Sequence, residues 1–301
     1  VDGNQTTTIT ASIDVVNSDA GYQSVEDQTV SVTTADDDTA GYTIVESGGS
    51  TSVSESGTTD TFTLVLNTQP LSDVVFSISS SDTGEGTVTA TLTFTPANWD
   101  TAQTATVTGI DDSIIDGTQT ATITVSINDG SSDDDFDPLA DQTITTSNVD
   151  DDVAGFTIAE TGGSTGVAES GSTDTFTVVL DAQPTSDVVL SITSNDTGES
   201  SVPSALTFTS ANWDTAQTVT VTGVDDDVID GEQGSSLTIA VDDFNSDNDF
   251  DAVADQTVSV TTSDNDVAGF TIAETDGSTG VAESGTTDTF TIVLDAQPSS
   301  D

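Results

Sequence analysis

Lysine, arginine and histidine are all absent from these 301 residues, while aspartate and glutamate together number 54, for a formal net charge of −54. No salt bridge between side chains is possible. Carboxylates a few ångströms apart repel by about 1 kcal/mol per pair even in a water-like dielectric, so any countercharge must come from outside the chain. Nucleic acid is excluded as a partner because phosphate contacts need lysine or arginine, and direct contact with an anionic membrane is excluded on the same ground. Cysteine is absent, so no disulfide staples the fold, and without lysine there is no amide cross-link to asparagine. Cysteine, histidine and methionine are missing together, which removes the ligands of soft metals. No apolar run of about 18 residues occurs, nor a basic segment followed by an apolar core, so neither a membrane span nor a signal segment is expected in this stretch and an export signal is expected outside it. The catalytic side chains that remain are carboxylates, and paired carboxylates can hydrolyse glycosides. Every acidic cluster, however, falls at a loop end without aromatic neighbours. An enzyme is not expected.

Hydrophobic residues make up 33% of the chain, enough for several small cores and too few for one large one. They are arranged in a long repeat. Ala40-Gly41-Tyr42-Thr43-Ile44 returns as Ala154-Gly155-Phe156-Thr157-Ile158 and again as Ala268-Gly269-Phe270-Thr271-Ile272. The period is 155 − 41 = 114 residues, and 269 − 155 = 114 once more. Asn98-Trp99-Asp100 and Asn212-Trp213-Asp214 keep the same spacing, as do Ala140-Asp141-Gln142-Thr143 and Ala254-Asp255-Gln256-Thr257. A period of that length marks domain-sized units in tandem and not a short solenoid repeat. Residues 41–154 and 155–268 are expected to be complete repeats, with 1–40 the tail of one and 269–301 the head of another.

Within 155–268 the apolar period is two nearly throughout: Phe156 and Ile158; Phe176, Val178 and Leu180; Val188, Leu190 and Ile192; Leu206 and Phe208; Val219 and Val221; Leu237, Ile239 and Val241; Val258 and Val260. These are about seven strands, A to G, with threonine and serine on the alternate, solvated positions. Thr218, Thr220 and Thr222 form such an outward row, and Trp99 and Trp213 read as core or strand-edge residues. The expected fold is all-β, a tandem of immunoglobulin-like sandwiches of two antiparallel sheets. An odd strand count puts the incoming and outgoing ends of the chain at opposite poles, so such units string end to end. The connector from Ser263 to Ala268 is too short for a free linker.

Following the strand directions, the A–B, C–D and E–F loops and the end of strand G share the outgoing pole. There the second repeat places Glu169, then Asp225, Asp226, Asp227 and Asp230, then Asp264, Asn265 and Asp266. The first repeat places Glu55, then Asp111, Asp112 and Asp116, then Asp150, Asp151 and Asp152, and Asp36 and Asp38 hold the strand-G positions in the preceding tail. Three segments distant in sequence thus converge carboxylates on one end of a domain. Oxygen ligands in that number suit a hard cation, and Ca²⁺ accepts six to eight of them. The F–G loops at the other pole carry Asp133, Asp134, Asp135 and Asp137, or Asp247, Asp249 and Asp251, and suggest a second calcium position facing the preceding repeat.

These residues resemble the Calx-β family, with a strand-A aromatic at Phe156, an A–B glutamate at Glu169, an acidic loop from Asp225 to Glu232 before strand F, and Asp264-Asn265-Asp266 at the close. The resemblance implies metal-ligand roles at those positions. The first repeat departs from it at Ser113 and Thr118, which implies fewer or weaker ions there, and the third retains only Phe270 and Glu283. In wording and composition the units are similar to the Thr- and Asp-rich extender repeats of giant bacterial surface adhesins, which implies a calcium-stiffened extracellular stalk. Two other roles fit the same residues. One is a calcium sensor, against which near-identical tandem copies argue; the other is a filament subunit that exchanges strands with other copies.

Overall fold

A computed structural model describes residues 1–300. A first hairpin joins β1 (Gln5–Ala11) and β2 (Gln28–Thr34). Then follow β3 (Tyr42–Glu46), β4 (Thr51–Ser54), β5 (Thr59–Leu66), β6 (Val74–Ser80), β7 (Gly86–Val88), β8 (Thr91–Phe94), β9 (Gln103–Gly109), β10 (Gln119–Ile127) and β11 (Gln142–Val149). One period on come β12 (Phe156–Glu160), β13 (Thr165–Ala168), β14 (Thr173–Leu180), β15 (Val188–Ser194), β16 (Ser200–Ser201), β17 (Ala205–Phe208), β18 (Gln217–Gly223), β19 (Val228–Ile229), β20 (Gln233–Val241) and β21 (Gln256–Ser263). The described chain closes with β22 (Phe270–Glu274), β23 (Phe290–Leu294) and β24 (Gln297–Pro298). Among the described residues the helical content is limited to short 3-10 turns.

Each complete repeat is a sandwich of two sheets. In the first the orders are β4-β11-β10-β6-β8 and β3-β5-β9-β7; in the second, β13-β21-β20-β15-β17 and β12-β14-β18-β16. The alternation read from the sequence explains the layering. Phe62, Leu64, Phe76, Phe94 and Ile123 point inward and are fully buried, as are Phe176, Leu190, Phe208, Leu237 and Ile239 in the second core. Outward positions carry cross-strand threonine pairs such as Thr61↔Thr106 and Thr177↔Thr218, where a β-branched side chain suits the pleat. Trp99 and Trp213 pack half-buried against their cores. In the terminal hairpins the same apolar positions are exposed: Phe270 is 62% exposed where its equivalent Phe156 is 3%.

The structure departs from the seven-strand expectation in strand A. That strand is split, its first half (β3) in one sheet and its second (β4) in the other. The crossing is made at Ser47–Gly49, where Gly48 and Gly49 have φ of 66° and 87°, a region open to glycine and strained for other residues. Gly162 and Gly163 repeat the device. The second half then runs parallel to the last strand, with Thr51↔Thr146 to Ser54↔Val149 in register, and Thr165↔Val260 to Ala168↔Ser263 one period later. One of the two sheets of each sandwich, expected to be wholly antiparallel, therefore contains a parallel pair.

The residues fall into two compact units, Val1–Asp112 with Asp116–Asp151, and Ser113–Ile115 with Asp152–Asp301. Ser113–Ile115 interrupt the β9–β10 loop of the first repeat in sequence and belong to the second unit. There Ile114 bridges Gln183 in parallel, Ile115 donates to the Gln183 carbonyl at 3.2 Å, and the Ile115 side chain packs on the second core. The same bridge recurs inside the second unit as β19 on β24, 297 − 183 = 114 residues on, and inside the first as Val1 donating to Gln69.

Two glycines test the packing between strand ends. A Cβ on Gly223 would lie 2.0 Å from the Ala168 carbonyl oxygen, whereas one on Gly234 meets nothing within 4 Å. Gly223→Ala is expected to destabilise the second sandwich by about 2 kcal/mol or more, and Gly234→Ala to be close to neutral, as read from denaturant midpoints of each variant.

Candidate metal centre

The parallel pairing creates the site. Because β4 and β11 run the same way and end together at Ser54↔Val149, the residues that follow them emerge side by side, and the Glu55 N–H donates to the Val149 carbonyl at 3.0 Å. One carboxylate oxygen from each of Glu55, Asp150 and Asp152 then lies within 4.8 Å of the others. In the second repeat Glu169 follows β13, donates its N–H to Ser263 at 3.1 Å, and meets Asp264 and Asp266 in the same way. Both glutamates are 1% exposed.

The β9–β10 and β18–β20 loops are drawn in by backbone donors. Asp150 Oδ2 accepts the N–H groups of Asp116 (3.2 Å) and Gly117 (2.8 Å); Asp264 Oδ2 accepts that of Gly231 (2.8 Å). Asn265 Nδ2 donates to Asp225 Oδ1 at 2.9 Å, and Asp226 Oδ1 caps Val228 N at 2.7 Å. This brings Asp112 and Asp116 close enough to act on Glu55, and Asp226 and Asp230 on Glu169. Asp111, Asp151, Asp225 and Asp227 are exposed and stand outside the triads, although Asp225 and Asp227 still act on Asp266. Asp36 and Asp38 have no glutamate beside them among the described residues. Asp36 instead accepts N–H groups from Asp2, Gly3 and Asp38, which lower its pKa.

Charge at the triads is uncompensated. Burial, then Asp112 and Asp150, push the Glu55 carboxyl up to about 7. Glu169 is raised chiefly by burial against an opposing N–H from Asn265, and Asp266 by burial and then Asp264. Glu55 Oε2 and Asp266 Oδ2 are buried and receive no hydrogen bond. A buried carboxylate oxygen without a donor is costly, and this chain has no lysine, arginine or histidine to supply one. Three to five oxygens from carboxylates on three loops fit a divalent hard cation, with Glu55, Asp150 and Asp152, or Glu169, Asp264 and Asp266, as its nearest holders.

The sequence reading passed over Glu85 and Glu199, in the C–D loops. Glu199 is 8% exposed, its Oε2 has no donor, and its pKa is raised by burial and then by Asp230, Asp196 and Glu169. The signal was present, since Asp82-Thr83-Gly84-Glu85 returns unchanged as Asp196-Thr197-Gly198-Glu199 on a loop at the outgoing pole. The two sites also differ at a buried strand position. Asn148 Nδ2 donates to Glu85 Oε2 (3.2 Å), Glu55 Oε1 (3.5 Å) and the Ile110 carbonyl (3.0 Å). Its equivalent Thr262 donates only to the Glu199 backbone carbonyl, at 3.3 Å. The first site thus receives a side-chain amide donor, whereas the Glu169 carboxylate receives a backbone one, from Asn265 N at 3.1 Å.

Of the F–G loop aspartates expected to form a second calcium position, Asp133 and Asp247 accept several hydrogen bonds from the chain, whereas Asp137 has a buried Oδ1 without a donor and a pKa raised by burial and then by Asp129, Asp134 and Asp133. Asp133 is buried and takes the N–H groups of Leu71 (2.7 Å), Ser72 (2.9 Å) and Asp135 (3.2 Å); Asp247 takes Thr185 Oγ1 (2.8 Å), Ser186 N (2.8 Å) and Asp249 N (3.2 Å). Both have lowered pKa values, their hydrogen bonds outweighing burial. They brace the loop that seats Phe136 or Phe250 in the core.

No protein-family model matches the chain, and no curated protein matches it. Among solved structures it is similar to the calcium binding domain CBD12 of CALX1.1, with 17% identity over 66% of this chain and 80% of that one and a TM-score of 0.27. It is also similar to the S-layer protein SbsC, domains 4 and 5, with 20% identity over 62% and 76% and a TM-score of 0.31. At identities this low the likeness concerns the fold, and no site residue is carried over from it.

The raised Glu55 pKa fixes a pH dependence. A carboxyl that titrates near 7 in the folded chain and near 4.5 when unfolded stabilises the calcium-free fold below the lower value, and that contribution is lost as pH rises through the upper one. Glu169, Glu199 and Asp266 shift in the same direction. In EDTA, the melting temperature should fall between pH 5 and pH 7.5, and Glu55→Gln should flatten the fall. A melting temperature that rises over this interval contradicts the assignment.

Proposed function

We propose that the chain is a run of calcium-stiffened spacer repeats in an extracellular or cell-surface protein of the large bacterial adhesin kind, mechanical in role and not catalytic. The observation that carries this reading is the position of the two acidic triads, each built around a buried glutamate, Glu55 or Glu169. Glu55, Asp150 and Asp152 stand at the start of the six residues that lead from β11 into β12, and Glu169, Asp264 and Asp266 at the start of those from β21 into β22. A cation there neutralises the strongest like-charge repulsion and fixes the backbone of the connector. The β9–β10 loop, whose Asp112 and Asp116 approach the first triad, also donates Ser113–Ile115 to the following unit. Calcium ions and neighbouring repeats are the partners this arrangement implies.

The repeats are 114 residues apart and keep their acidic loops, as a spacer requires; a sensor has no use for a long array. Calcium outside cells is millimolar, so sites of modest affinity stay filled there. The four boundaries read from the period, 1–40, 41–154, 155–268 and 269–301, are retained as the proposed repeat limits.

Calcium removal tests the reading. A ligand bound only by the folded state at a hundred times its Kd adds about 2.7 kcal/mol per site, so millimolar calcium should raise the melting temperature clearly above that in EDTA. Small-angle scattering should show a narrower spread of dimensions with calcium than without. Equal melting curves overturn the calcium assignment, and a calcium-dependent melt with unchanged scattering overturns the stiffening.

A further inference from the structure

We propose that each sandwich resists pulling through its parallel strand pair, β4 on β11 and β13 on β21, and that a divalent cation at the common end of the pair ties the two strands together. The first half of the proposal rests on topology alone; the second rests on the calcium reading above.

The topology decides how tension enters. β4 lies near the start of the repeat and β11 at its close, and the two are parallel. The upstream end of β4 and the downstream end of β11 therefore lie at opposite poles, and stretching the chain draws the two strands past each other along their length. The pairs from Thr51↔Thr146 to Ser54↔Val149 are then loaded together, whereas a hairpin opened from its end loses them one at a time. β4 is an edge strand whose sheet neighbour is β11. Upstream of it, Gly48 and Gly49 give the turn room to straighten if β3 is drawn off β5 first.

The side chains support the same pair. Thr51, Val53, Thr146 and Asn148 are buried beneath it, and Ser52 and Ser147 hydroxyls meet above it at 3.0 Å. Gly109 lets the end of β4 lie flush, since a Cβ there would come within 2.2 Å of the Ser54 carbonyl oxygen.

Glu55 is the residue after β4, and Asp150 the residue after β11. Sliding moves the glutamate and the aspartates in opposite directions. A slip of one residue is about 3.3 Å, longer than a calcium–oxygen bond of about 2.4 Å, so a bound cation resists from the first step. The buried, donor-free Glu55 Oε2 is the oxygen that marks the tie in the first repeat.

Single-molecule stretching of the full chain tests this. The chain has no cysteine, so thiols introduced as handles are unique. Pulled from its ends in calcium, the protein should show high rupture forces that EDTA lowers. Handles at Gly130→Cys and Asp141→Cys, both on exposed loop residues, should open the β10–β11 hairpin from its end at roughly half that force or less, with little response to EDTA. Glu55→Gln with Glu169→Gln should abolish the EDTA effect on end-to-end rupture. Equal forces in the two directions overturn the clamp. If calcium raises the melting temperature and leaves end-to-end rupture unchanged, the tie fails while calcium binding stands; if neither responds, both fail.

Discussion

Repulsion among carboxylates that no side chain of the same molecule can neutralise falls unevenly over this chain, and the unevenness organises the structure. One group of aspartates is stabilised locally by backbone N–H donors: Asp36, Asp60, Asp133, Asp174 and Asp247 each take such bonds and have lowered pKa values. These carboxylates do the work of turn formation and need nothing from solvent. A second group, Glu55, Glu169, Glu199 and Asp266, is pushed the other way because burial and neighbouring charges outweigh its donors. Hydrophobic layers and backbone ladders hold these four where they are. The total charge is therefore less informative than its partition between satisfied turns and unsatisfied strand ends.

The two complete repeats solve this problem to different degrees. Asn148 feeds an amide donor into Glu55 and Glu85, whereas Thr262 leaves the side chains of Glu169 and Glu199 without it. Ser113 and Thr118 replace an aspartate and a glutamate of the second repeat, so the first site is poorer in carboxylates, yet its Glu55 is the carboxyl pushed up to about 7. The two repeats thus differ in the composition of their acidic ends although their strand order repeats.

Much of this was legible in the sequence, for reasons that can be stated. The strict alternation of Phe176, Val178 and Leu180, and its counterparts, gave all seven main strands, because a half-buried sheet imposes a period of two. The grouping of Glu55, Asp150 and Asp152 was legible because strand direction alone sends them to one pole. The splitting of strand A was not legible: Gly48-Gly49 reads as an ordinary turn, and only tertiary pairing shows that the chain changes sheets there. Glu85 and Glu199 were overlooked as single acids in a short loop, although their tetrapeptide recurs. The bracing roles of Asp133 and Asp247 were not legible, because composition does not reveal which carboxylates nearby N–H groups have already claimed. Asn148 and Thr262 are neutral residues on strand G, and nothing in their spacing links them to the acids they serve.

The splitting of strand A also fastens the two layers of each sandwich to one another. β3 is held by β5 in one sheet and β4 by β11 in the other, so a single short segment belongs to both layers, joined through the Ser47–Gly49 turn. Neither layer can shift over the other without distorting that turn, and the chain thereby carries a covalent hinge along one edge of its own core.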